Sequence, residues 1–201
     1  MNSGTHFRLM RVKTIKDTRS LTLMFALPKT LHYYKSQPLG MLGFLLGHEG
    51  KGSLLSLLKR ENLATGLSAG GGESNNSFSS FEVKIQLTPK GLRNYKKIIR
   101  NVFQYLSLLR KSGLPHYVYD EVKRMSELDY RFAEKPEGTS LVNVFSTLMM
   151  YYPFRTVEIA PYMITDFRPR IFDNMLYSLT PNNMLAVLAA RDVNTLSLIH
   201  I

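Results

Sequence analysis

The 201-residue sequence has no cysteine. That absence excludes disulfides, thiolate metal ligands and a cysteine nucleophile, and it leaves the compartment open. No window approaches about 18 consecutive apolar residues, so no transmembrane helix is expected. The opening Met1–His6 lacks a basic stretch followed by an apolar run, so no signal peptide is visible. Histidine is sparse: His6, His32, His48, His116 and His200, none within a His-x-x-Glu-His or His-Glu-x-x-His arrangement. A zinc site needs about three or four ligands held together, most of them supplied by short-range pairs, and nothing here signals one. No Gly-x-Ser-x-Gly elbow is present either. The residues of this chain alone give catalysis little support.

What is present fits a folded domain. A hydrophobic fraction of 44% with 20% charged residues argues against wholesale disorder. The length suits one well-cored domain, expected over residues 7–195 after a short leader at 1–6. The formal net charge is +11. Near the start, Arg8, Arg11, Lys13, Lys16, Arg19, Lys29 and Lys35 face only Asp17. Such an excess reads either as a footprint for nucleic acid or a membrane surface, or as a basic face, solvated or set against an acidic partner domain. The charges are dispersed and no single basic helix emerges, which favours the second reading.

Leu21, Leu23, Phe25 and Leu27 alternate before Pro28, and a companion segment runs from about Phe7 to Lys13. With Lys16–Arg19 read as a turn, the two predict a pair of strands. Phe81–Leu87 alternates strictly with Glu82, Lys84 and Gln86, as a sheet with one buried face requires. Thr88 and Pro89 mark a helix start, and a stripe from Leu92 to Leu109 continues it until Gly113 and Pro115. Further helices are predicted over about 116–132, 140–150 and 169–177, and a last strand over 184–190. The pattern predicts an α+β fold, a mainly antiparallel sheet with helices packed on one face. The closing Leu196–Ile201 resembles read-through of a sequencing-library adaptor and is set aside from fold reasoning.

Two glycine-rich segments stand out. In Leu46–Leu55, glycines flank Lys51 ahead of a helix starting near Ser53. They read as a phosphate cradle or as a tight loop between helices, and the P-loop order is broken by Gly52. Leu63–Gly71 reads as an apolar strand losing side chains at its end, either an edge open to an added peptide strand or a surface loop.

The ordered series of motifs from Ile15–Leu21, Phe25–Pro28 and Tyr33–Ser36 through Leu46–Leu55 resembles the second domain of the insulinase/pitrilysin family. The likeness continues through Phe81–Thr88, Val102–Tyr105, Glu127–Phe132, Tyr152–Pro153 and Phe167–Pro169. The resemblance implies an α/β roll with no metal site, one of four similar domains of an inverted zinc endopeptidase. It implies a domain that walls the substrate chamber and is not catalytic by itself. It places no cofactor in this chain and expects Zn2+ in the missing catalytic domain. By the same resemblance Phe44, Gly47 and Glu49 would lie beside Leu67, Ser68 and Ala69 and hold the N-terminal part of a peptide substrate. Phe44 stands where some relatives carry histidine, and Ala69 where glycine is common. The implied partners are the other domains of the polypeptide and extended peptides, with neither nucleic acid nor membrane among them. A periplasmic location is implied only if the parent is a bacterial pitrilysin-like enzyme. A non-peptidase structural subunit of the same superfamily and a basic nucleic-acid-binding module are the alternatives.

Overall fold

The computed structural model describes residues 8–134, 137–191 and 193. The expectations placed on residues 1–6 and 196–201 lie outside the described residues.

The strand whose alternation is plainest in sequence is interior to the sheet, with a strand on either side. In β4 (Phe78–Leu87), Phe81, Val83, Ile85 and Leu87 are buried while Lys84 and Gln86 face solvent. β4 pairs antiparallel with β2 (Ser20–Pro28) in the register Leu21 to Ile85, Leu23 to Val83 and Phe25 to Phe81. Both apolar rows therefore share one face. β3 (Ala64–Ser74) lies antiparallel on the far side of β4 and forms one edge. β5 (Met184–Ala190) lies antiparallel on the far side of β2, and β1 (Arg8–Lys13) pairs parallel with β5 at the other edge.

The expected direct pairing of the first two strand segments is overturned, because β5 lies between β1 and β2. The reason is apolar burial. β5 buries Met184, Ala186, Leu188 and Ala190 on one face and half-buries the rest, so it needs a neighbour on each side. β1 buries no residue fully and contributes mainly the half-buried Leu9 to the core. Three of the four strand pairings are antiparallel, as the α+β reading expects.

Among the described residues there are seven α-helices, α1 (Pro38–Gly47), α2 (Leu54–Arg60), α3 (Pro89–Arg93), α4 (Tyr95–Ser112), α5 (His116–Phe132), α6 (Gly138–Met149) and α7 (Pro169–Ser178), of which α1 is assigned no range by the sequence pattern. Leu42, Leu46, Leu58, Val102, Leu106 and Phe172 from four of them close over the buried face of the sheet. The helix start at Thr88 stands as read: the Gly91 N–H donates to Thr88 Oγ1 at 2.9 Å. The single helix expected from Pro89 onward is broken at Asn94, whose side-chain amide donates to the Lys90 carbonyl at 2.8 Å. A side chain that takes a helix carbonyl in this way offers the backbone an alternative to continuing the ladder. Farther along α4, Arg110 donates to the carbonyls of Leu179 (2.8 Å) and Leu176 (3.3 Å) at the end of α7. Its cation thus serves the negative end of a neighbouring helix dipole.

The distal half of the α5 stripe finds no cover among the described residues. Val118 is buried, but Met125, Leu128 and Phe132 are 48%, 52% and 76% exposed. α6 buries no residue at all, and Val142, Val144 and Met149 face solvent. The open face of the sheet is also apolar near β1, where Met10 and Val12 stand beside Val187 and Ala189.

Gly91 is the tightest joint of this architecture. A Cβ added there would overlap the carbonyl oxygen of Leu63, so α3 can start against β3 only without a side chain at this point. Gly91→Ala should destabilise the chain by about 3 kcal/mol, lowering Tm by about 10 °C in a thermal melt.

Candidate functional site

The site residues expected from sequence fall on α1, the loop after it, and β3. α1 is apolar on almost every side, burying Pro38, Leu39, Met41, Leu42, Gly43 and Leu46. It fits against the edge strand because Gly43 has no side chain: a Cβ there would stand 2.8 Å from the Ala69 carbonyl oxygen and 3.0 Å from Gly70 Cα. One turn on, the corresponding position at Gly47 stands 3.7 Å from the Ala69 amide nitrogen. Both backbone polar groups of Ala69 therefore face the glycine row of α1, away from β4.

The loop after α1 is held by its own atoms. His48 Nδ1 accepts from the Gly50 N–H at 3.1 Å, and its ring meets Phe44 edge to face at 6.3 Å. A side chain at Gly50 would overlap the His48 ring. Gly52 has φ +86°, and Ser53 caps α2 by accepting from the Ser56 N–H at 3.1 Å. The segment is thus a tight connection between helices, and His48 is the packing and capping residue of that connection.

Of the six expected residues, the structure brings Gly47 and Ala69 together directly. Phe44 is half-buried and lines a cleft with Tyr105 and Tyr117. Leu67 turns its side chain into the core, opposite Ile85, and Ser68 faces solvent opposite Lys84. Glu49 is set apart, with its carboxylate 3.6 Å from Lys59 Nζ on α2 and both groups exposed. Sequence reasoning missed Gly43, although Gly43 and Gly47 are four residues apart and so share one face of a helix.

Beside Phe44 a cleft of about 260 Å3 is lined by His48, Lys51, Tyr105, Tyr117 and Glu121. Tyr105 donates to the Leu45 carbonyl at 3.4 Å. Burial, and then the neighbouring Tyr117, raises its pKa above the usual 10.0.

The donor chemistry of a zinc site does not fit these residues. No three of the His, Asp and Glu side chains converge among the described residues. His48 is engaged by its own loop, and His116 pairs with Asp120 at 3.0 Å.

Comparison with known proteins matches residues 4–126 to the family described as Peptidase M16 inactive domain. The chain belongs to this family. The inactive domain is 37% identical over 182 residues to insulin-degrading enzyme of Drosophila melanogaster, covering 90% of this chain and 18% of that protein. To human nardilysin it is 30% identical over 185 residues, covering 90% of this chain and 16% of that protein. It therefore spans less than a fifth of either relative. The crystal structure of pitrilysin superposes with a TM-score of 0.86 at 20% identity, over 92% of this chain and 20% of that one. A peptidase M16 inactive domain from Pseudomonas fluorescens gives 0.62 at 16% identity, over 94% of this chain and 45% of that one. The inactive domain is thus a non-catalytic domain of the insulinase/pitrilysin family, with the fold expected for it.

Two measurements follow from the geometry. The purified chain should carry no stoichiometric zinc by metal analysis and should cleave no peptide; one tightly held zinc per chain would contradict the donor argument. Because the folded state favours the neutral Tyr105 phenol, its contribution is complete below pH 10.0 and is lost as pH rises through the raised value. Tyr105→Phe should therefore flatten the alkaline fall of the denaturant midpoint.

Proposed function

We propose that this domain walls the substrate chamber of a zinc-dependent endopeptidase and anchors extended peptides there, while the chemistry belongs to another domain of the same polypeptide. The observation that carries the reading is the pairing of the glycine row of α1 with the outward backbone of β3. β3 is an edge strand, and Ala69 turns its N–H and C=O away from β4. An edge of this kind takes an added strand through backbone hydrogen bonds, which tolerate many sequences. Side chains would obstruct such an approach, and the segment Gly70–Gly72 has none.

Phe44, Gly47, Leu67, Ser68 and Ala69 belong to this anchoring surface. Glu49 is its acidic member, held by Lys59 in the free chain through an exposed and therefore weak pair. A peptide amino terminus would compete for that carboxylate. The zinc of the parent enzyme is assigned to the catalytic domain, so the parent reading frame should carry His-x-x-Glu-His upstream of this segment.

Proline tests the edge directly, since it removes one outward N–H and is tolerated on edge strands. In the full-length enzyme, Ala69→Pro should raise KM for long peptides about fivefold, the cost of one hydrogen bond. Hydrolysis of a short peptide that cannot reach β3 should be unaffected. An unchanged KM for long peptides would remove the anchoring role.

A further inference from the structure

β3 runs on past the anchoring residues into a cleft. Leu67, Ala69 and Gly71 stand opposite the buried Ile85, Val83 and Phe81, so the side chains on this face of β3 shrink along the strand. A Cβ at Gly71 would stand 3.5 Å from Leu39 Cδ1. Leu39 and Ser74, the last residue of β3, line a cleft of about 270 Å3 with Tyr33, Tyr34, Tyr152 and Pro161. Gly40 reaches the same cleft, and Gly40, Gly43 and Gly47 follow one row of α1.

The walls are fixed and uncharged. The Tyr34 and Tyr152 rings meet edge to face at 5.4 Å. Gln37, with φ +36°, holds a left-handed conformation that a residue with a side chain seldom adopts, and its side-chain amide donates to the Pro161 carbonyl at 2.8 Å. That bond ties the start of α1 to the turn at Ala160–Tyr162. The hydroxyls near the end of β3 are already matched. Ser79 Oγ accepts from the Thr30 N–H at 3.0 Å and shares hydrogen bonds of 2.9 and 2.8 Å with the Thr30 and Ser74 hydroxyls. No lining residue carries a charge. A charged side chain entering here would lose its water without gaining a partner, whereas an aromatic ring would meet other rings and proline.

We propose that this cleft is a specificity pocket for one aromatic side chain of a peptide lying along β3. The inference rests on the anchoring reading above and adds what the anchored peptide carries. A cleft of this volume lies below the range of drug-sized ligands and suits a single side chain. Between Ala69 and Ser74 the paired strand runs from Val83 to Ser79, so the ring belongs about four residues from the peptide position beside Ala69.

The test titrates the 201-residue chain with serine–threonine peptides of equal length, each carrying one phenylalanine at a different position. NMR follows the Ala69 amide and the rings of Tyr34 and Tyr152. One position should bind about tenfold more tightly than the others and shift both rings. Alanine, aspartate or lysine at that position should forfeit the gain. Gly40→Leu and Tyr152→Ala should each level the positions, and the comparison is read on whichever variant melts like the parent chain. Ala69→Pro should weaken every peptide, wherever its phenylalanine stands. The pocket is overturned if all positions bind the parent chain alike, if aspartate or lysine binds as well as phenylalanine, or if a folded variant keeps the preference. In each of those cases a loss of binding in Ala69→Pro still upholds the anchoring role. If no peptide saturates the chain, or if Ala69→Pro changes nothing, both readings fall.

Discussion

Leu21, Leu23, Phe25 and Leu27 of β2 lie beside Ile85, Val83 and Phe81 of β4 in a row that excludes water almost completely. Buried side chains of α1, α2, α4 and α7 share one cluster with this row, and the outer strands of the sheet are added to it. A slip of one residue between these strands would turn each apolar side chain to the open face and leave the helices nothing to cover. The strict alternation in both strands is what forbids the slip. The edge at β3 and the placement of α1 both inherit their positions from this one register.

The candidate site rests on a second constraint, the close approach of a helix to a strand backbone. Gly43 and Gly47 let α1 lie against Ala69, and Gly91 lets α3 start against Leu63. These contacts fix the helices relative to β3 on both flanks. They also explain why the loop from His48 to Ser53 is so constrained: it must turn the chain from α1 into α2 within six residues, and it does so with Gly50, Gly52 and the Ser53 cap.

Features governed by local chemistry were legible in the sequence. The alternation of 81–87, the Thr88–Pro89 start and the stop at Gly113 depend on neighbours a few residues away, and the structure has all three. The partner of β1 was not legible, because strand pairing is decided by burial between segments far apart in the chain. Nor was the bareness of α5 beyond Val122: its stripe at Met125, Leu128 and Phe132 is a sound helix pattern, and periodicity does not report what covers it. In the site, the loop and the edge strand could be read as separate signals. Their meeting at Ala69 depends on the tertiary path of α1.

The insertion of β5 between β1 and β2 has a consequence for how the chain is made. About 170 residues separate the end of β1 from the strand it pairs with, so the N-terminal strands emerge from the ribosome long before their shared neighbour exists. Until residues 184–190 arrive, Leu21, Leu23 and Phe25 have only β4 and the helices for company, and one flank of β2 stays unpaired. Such an edge is open to wrong partners during synthesis. The sheet is sealed last by its own interior strand, so its completion waits for the last of its segments to be made.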